Sequence, residues 1–65
     1  MTIMMNGESY EFDGVTLSDL LAELQLINAR IAVAVNGDFV CRAERNTLVV
    51  EAGDRVEIVA PQAGG

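Results

Sequence analysis

The chain has 65 residues, of which 51% are apolar, and its net charge of −6 results from ten carboxylates against four arginines. This length allows one small domain with a modest core, and the apolar fraction is too high for an intrinsically disordered chain. A protein this acidic repels nucleic acid and anionic membranes, so we exclude both as partners.

Few residues in this chain could take part in thiol chemistry or bind a metal. The chain contains one cysteine, Cys41, and no histidine, which excludes an internal disulfide, a cysteine-based metal site and a histidine general base. Cys41 follows Val40 and precedes Arg42. We interpret it as a small buried apolar side chain and not as a reactive thiol.

The cellular location is inferred from the lack of targeting signals. No apolar run approaches the ~20 residues that a membrane span requires. Residues 1–5 lack the basic flank of a signal peptide. We therefore expect a cytoplasmic protein.

The first twelve residues predict a β-hairpin. Residues 2–5 and 8–12 are its strands, and Asn6-Gly7 between them favours the positive φ angles of a tight type I′ turn. Tyr10 and Phe12 share one face of the second strand, because side chains alternate along a strand. Asp13-Gly14 then forms a turn that ends the hairpin.

The next segment predicts an amphipathic helix of about two to three turns. Thr16 is its expected N-cap, and Asp19, three residues later, completes a weak capping box. The apolar stripe consists of four leucines at helical spacing, which are Leu17, Leu20, Leu21 and Leu24. We assign these leucines to the core.

The second half of the chain predicts a series of strands. Residues 31–35 are all apolar and suit a strand that is buried on both faces. Asn36-Gly37 repeats the hairpin signal before a short strand at 39–41, and residues 47–50 are a brief extended piece. Residues 55–59 alternate and form the last strand. One helix and several strands indicate an α+β fold with the helix on one face of the sheet.

The last five residues carry the candidate chemistry. Pro61 cannot donate to a sheet ladder, and the residues after it are small or flexible, so we expect a domain over residues 1–60 and a flexible tail over 61–65. Gly64 and Gly65 lack a Cβ atom and can pass through a narrow channel into a catalytic site. Two terminal glycines arise by chance in roughly one chain in 200, so this signal is weak by itself.

Several motifs are distributed along the whole chain: Asn6-Gly7-Glu8, Thr16-Leu17 with Leu20-Leu21, Ala34-Val35-Asn36-Gly37, Val40 with Arg42, residues 53–59, and Gly64-Gly65. Together they resemble the sulfur-carrier protein family of thiamine biosynthesis. Relatives in this family often carry proline where this chain has Cys41. The resemblance implies a ubiquitin-like β-grasp fold, with a mixed sheet, one main helix on one face, and the last strand inside the sheet beside the first.

The resemblance also implies a protein cosubstrate that is not itself an enzyme and binds no cofactor or metal. A partner adenylating enzyme would use ATP and magnesium to activate the Gly65 carboxylate. A sulfur donor protein would then convert it into a thiocarboxylate, which delivers sulfur to thiazole synthase. Ala63 and Gly64 would pass through the active site of the partner. We expect a monomer that meets these partners transiently.

Two alternatives remain open at this point. The small subunit of molybdopterin synthase has the same fold and the same di-glycine end, although its relatives tend to be longer. The second alternative is a β-grasp binding module without carrier chemistry.

We interpret the remaining candidate residues as structural or solvated. Tyr10, Phe12 and Phe39 are expected to be packing residues. Arg42 and Arg45 are expected to be solvated loop residues, and Glu51, Asp54 and Glu57 a solvated edge. A docking patch on the sheet cannot be assigned before the face that the helix covers is known.

Overall fold

The computed structural model describes residues 1–60, and these form one mixed sheet with a helix on one face. The elements are β1 (Thr2–Met5), β2 (Glu8–Glu11), α1 (Leu17–Glu23), β3 (Ala32–Val35), β4 (Asp38–Val40), a 3₁₀ turn (Arg42–Glu44) and β5 (Arg55–Val59). The strand order is β2-β1-β5-β3-β4. β5 is parallel to β1 and antiparallel to β3. The predicted α+β fold and the interior position of the last strand are confirmed. The division at residue 60 stays a prediction, since residues 61–65 lie outside the described part.

Both predicted asparagine–glycine turns are confirmed. Asn6 and Gly7 have φ angles of 50° and 83°, and Asn36 and Gly37 have 53° and 87°. Positive φ at two successive residues is the signature of the type I′ turn, whose twist matches that of the flanking strands. Each turn therefore fixes the register of its hairpin, β1 with β2 and β3 with β4.

The helix begins at the predicted N-cap. The Thr16 hydroxyl accepts a hydrogen bond from the Asp19 backbone N–H at 3.2 Å, and the Asp19 carboxylate accepts from the N–H groups of Thr16 and Val15 at 2.9 and 3.0 Å. These bonds satisfy backbone donors that the first helical turn leaves unpaired. At the other end Gln25 turns to a φ of 61°, so the helix is seven residues long, about two turns.

The core lies between α1 and the face of the sheet that α1 covers. Ten apolar residues are buried there: Ile3, Phe12, Leu17, Leu20, Leu21, Val33, Val35, Val40, Val50 and Val56. Leu24 is only partly buried and packs against this cluster. The prediction that residues 31–35 are buried on both faces is wrong. Val33 and Val35 face the helix, whereas Ala32 is exposed and Ala34 half-buried on the opposite face.

No helix within residues 1–60 has the length and apolar character needed to cross a membrane.

The capping box predicts a specific acid sensitivity. The backbone N–H donors of Thr16 and Val15 hold the pKa of Asp19 below its ordinary value. A lowered pKa in the folded state stabilises the protein above the unfolded-state value of about 3.9, and this stabilisation is lost as the pH falls through the folded-state value. In urea unfolding at pH 7, Asp19→Asn should be less stable than the wild type, and the difference should shrink on acidification below pH ~4.

Asp38→Asn is the matched control, because the Asp38 carboxylate accepts no hydrogen bond from any other residue within 1–60. Its unfolding free energy at pH 7 should lie within about 0.5 kcal/mol of that of the wild type. A constant difference between wild type and Asp19→Asn from pH 7 to pH 2 would contradict the assignment.

Candidate functional site

The candidate site lies at the C-terminal end of β5, the central strand. β5 ends at Val59 and is followed by Ala60, the last described residue. The predicted site residues Ala63, Gly64 and Gly65 lie outside the described residues, so their role stays a prediction. The part of the site that can be described is therefore the surface around the end of β5, where residue 60 leads into residues 61–65.

The end of β5 is held on both sides. β3 pairs with β5 up to Ala32 opposite Val59, whereas β1 pairs with β5 only as far as Met5 opposite Val56. Beyond Val56, the Asn6 side chain forms hydrogen bonds to the backbone of β5 in place of β1. Its Oδ1 accepts from the Ile58 N–H at 2.8 Å, and its Nδ2 donates to the Ile58 carbonyl at 3.2 Å. The sequence predicts a turn role for Asn6, but gives no signal for this contact across 52 residues.

An apolar surface, called here the sheet patch, lies beside this end of β5 on the face that α1 leaves open. It consists of Ala32, Ala34, Phe39 and Val59. The register places Phe39 opposite Ala34 and Val59 opposite Ala32. Because the two alanines are small, a depression of about 180 Å³ remains between the larger side chains.

The two large side chains of the sheet patch are unusually accessible. Phe39 is 69% exposed and Val59 is 63% exposed. The interpretation of Phe39 as a packing residue is therefore wrong, because its strand position directs it away from α1. Exposed apolar side chains that lie together are candidates for a surface that contacts another protein.

Apart from the half-buried Met4, the side chains on the rest of the open face are polar. On the β1–β2 side the Thr2 hydroxyl bonds to the Glu11 carboxylate, and the Ser9 hydroxyl contacts the Met4 sulfur at 3.8 Å. Arg55 lies beside Met4 in the register. The apolar surface is thus confined to the β5–β3–β4 side of the sheet.

A larger depression, about 420 Å³, lies at the β3–β4 turn and the segment that follows β4. Its lining includes the carboxylates of Asp38, Glu44, Glu51 and Asp54 together with apolar side chains, and it shares only Phe39 with the sheet patch. Two of these carboxylates bind local groups: Asp54 accepts from the Glu51 N–H and from the Asn36 side chain, and Glu44 from Cys41. No group of three potential metal ligands occurs within residues 1–60. We find no catalytic arrangement in this depression.

Two sequence interpretations near this region are wrong. Cys41 is exposed, since β4 ends at Val40 and Cys41 starts the 3₁₀ turn, where its N–H and thiol both approach the Glu44 carboxylate. Arg45 is 6% exposed and is no solvated loop residue. Its guanidinium donates to the Ile31 carbonyl at 3.0 Å, and its Nε has no hydrogen-bond partner among the described residues.

The comparisons with known proteins agree with this fold. The model of the ThiS family matches residues 3–65. The crystal structure of a thiamine biosynthesis protein (ThiS) from Geobacter metallireducens is 29% identical, with 100% of both chains covered and a TM-score of 0.85. An NMR solution structure of a thiamine biosynthesis protein from the same organism is also 29% identical, with 100% of this chain and 88% of that chain covered and a TM-score of 0.81. No curated protein matches the sequence. The chain belongs to the ThiS family of small sulfur carriers and has the ubiquitin-like β-grasp fold.

Proposed function

We propose that this protein carries sulfur in thiamine biosynthesis, as a cosubstrate on which partner enzymes act. The observation that carries the proposal is the family match, which extends to Gly65 and so includes both terminal glycines. The likeness to a thiamine biosynthesis protein over the whole of both chains supports the same pathway. Both structures described above are of a thiamine biosynthesis protein, which favours this pathway over the molybdopterin alternative.

The proposed chemistry takes place at the Gly65 carboxylate. A terminal carboxylate has a pKa of roughly 3.5 and is ionised at neutral pH, which makes it a poor electrophile. An adenylating enzyme transfers AMP from ATP to it with magnesium and releases pyrophosphate, so that a mixed anhydride forms. The persulfide of a sulfur donor protein attacks the carbonyl carbon and AMP leaves. A second thiol then cleaves the sulfur–sulfur bond and leaves a thiocarboxylate, which serves thiazole synthase. Ala63 and Gly64 pass through the narrow entrance of each active site.

The reach of the last residues limits where such a partner binds. The five residues that follow Ala60 span at most about 18 Å when fully extended. An enzyme that acts on Gly65 must therefore cover the surface around the end of β5. The sheet patch lies on this surface, and we propose it as the docking site of the adenylating enzyme. Thiazole synthase must cover the same end, so the two enzymes bind in turn.

The test of the function is ATP-dependent gain of sulfur at the C-terminus. The protein is incubated with its adenylating enzyme, magnesium ATP and a persulfide donor, then digested with trypsin. Cleavage after Arg55 yields the peptide 56–65, which contains neither methionine nor cysteine. This matters because oxidation of a methionine adds nearly the same mass as exchange of oxygen for sulfur. A mass gain on this peptide that requires ATP supports the proposal; consumption of ATP without this gain contradicts it.

The docking role of the sheet patch gives a separate prediction. Phe39→Ala should raise the KM of the adenylating enzyme for this protein by about ten- to a hundredfold, because the partner no longer buries the ring. The matched control is Val15→Ala, which truncates a side chain that is 58% exposed but lies at the start of α1. Its KM should equal that of the wild type, measured as ATP–pyrophosphate exchange. Equal KM values for the two variants would remove the sheet patch from the docking site.

A further inference from the structure

Glu57 is a charged residue that lines the same depression as the residues of the apolar sheet patch. It lies on β5 directly opposite Ala34, which in turn lies opposite Phe39, and its side chain lines the same depression as Phe39 and Val59. Neighbouring strands place such opposed side chains about 5 Å apart. The carboxylate is therefore a member of the surface that the partner covers.

Glu57 makes no ion pair with any cation among residues 1–60. The ion pairs within residues 1–60 are those of the N-terminal amine with Glu11 and Asp13. Arg55 lies two residues earlier on the same face of β5 and lines a common depression with Glu57, but it makes no ion pair with Glu57. Glu57 also receives no hydrogen bond from residues 1–60. In the free protein the Glu57 carboxylate is exposed to solvent.

Docking removes this solvent from the Glu57 carboxylate. A partner that covered the sheet patch with apolar side chains alone would bury an unpaired carboxylate, which strongly opposes binding. The same carboxylate becomes favourable when the partner supplies an opposite charge. The net charge of −6 adds a general attraction towards a basic surface.

We propose that the adenylating enzyme presents an arginine or lysine side chain to Glu57, framed by apolar side chains that contact Phe39 and Val59. This inference rests on the proposed function and adds the chemistry of the partner surface. An apolar contact has little directionality, whereas a charge pair fixes the orientation of the two proteins. Glu57 thereby orients the docked protein, so that Gly65 reaches the reacting atoms.

The test compares Glu57→Gln and Glu57→Arg with the wild type in binding to the purified adenylating enzyme, at several salt concentrations. We expect Glu57→Gln to bind at least about tenfold more weakly and with a smaller salt dependence of the association rate. Glu57→Arg should bind more weakly still, because it places like charges together. The control is Glu8→Gln, an exposed carboxylate on β2, which should bind like the wild type. All variants should keep the wild-type Tm, because Glu57 is exposed.

Three results would overturn the inference. The first is unchanged affinity and salt dependence of both Glu57 variants, while the wild type is adenylated normally. The second is tighter binding of Glu57→Gln, which would show that the partner surface opposite Glu57 is apolar. The third is an equal loss in Arg55→Gln, which would make Arg55 the counterion of Glu57 in the complex. If the wild type itself is not adenylated, the proposed function fails, and with it this inference.

Discussion

Deletion of Gly65 should abolish the ATP-dependent gain of sulfur on the C-terminal tryptic peptide. Without Gly65 the carboxylate lies one residue earlier, about 3.5 Å from the position that the partner's catalytic groups require. A misplacement of 1 Å can already reduce a rate by about a hundredfold, so we expect loss of sulfur transfer to the background level. The measurement is the mass of peptide 56–64 after incubation with adenylating enzyme, ATP and persulfide donor.

The control for this deletion is Gln62→Ala, which alters the same segment but keeps its length and both glycines. It should gain sulfur like the wild type. The deletion should not change Tm, because the buried apolar residues that we describe lie between Ile3 and Val56. Sulfur gain by the shortened chain at the wild-type rate would refute Gly65 as the site of activation.

The second large effect is a loss of stability, which we expect for substitution of Phe12 but not for substitution of Phe39. Phe12 is fully buried against the core, and its ring lies so close to Gly14 that an added Cβ atom there would come within 2.5 Å of it. Phe12→Ala should lower the free energy of unfolding by about 3–5 kcal/mol. A domain of this size has only a few kcal/mol in total, so much of the variant should be unfolded at 25 °C.

Phe39→Ala is the matched control, since it removes the same ring from an exposed position. Its unfolding free energy should lie within about 0.5 kcal/mol of the wild type, measured by urea denaturation. We therefore expect Phe12→Ala to lose stability, whereas Phe39→Ala should lose affinity for the partner enzyme. A loss of stability in Phe39→Ala as large as in Phe12→Ala would mean that the ring packs against the fold in solution.

The sequence predicts the local elements of this fold because their signals lie within a few residues. The Asn6-Gly7 and Asn36-Gly37 turns follow from backbone preferences at two positions, and the Thr16 cap follows from one hydroxyl and one carboxylate. The place of β5 between β1 and β3 is not local. The resemblance to a known family predicts its interior position beside the first strand but not its pairing with β3, since pairing between distant strands leaves no mark on either strand alone.

The side chains of the candidate site are predicted less well, for a related reason. An alternating strand has two faces, and its pattern does not tell which of them a helix covers. The Ala-Val alternation of β3 is apolar at every position, so Phe39 could not be assigned to the open face. Arg45 illustrates the same limit, because its buried guanidinium binds the Ile31 carbonyl, 14 residues away. The di-glycine end was found from sequence, and its chemistry stays a prediction.

The anchoring of β5 has a mechanical consequence. The strand is bonded to β1 on one side, to β3 on the other, and to the Asn6 side chain near its end. Sheet hydrogen bonds run across the strands, so tension applied to the C-terminus along β5 shears these bonds together instead of peeling them off singly. We therefore expect β5 to resist tension that a bound partner applies to the end of the chain, because such tension is opposed by the hydrogen bonds at the centre of the sheet.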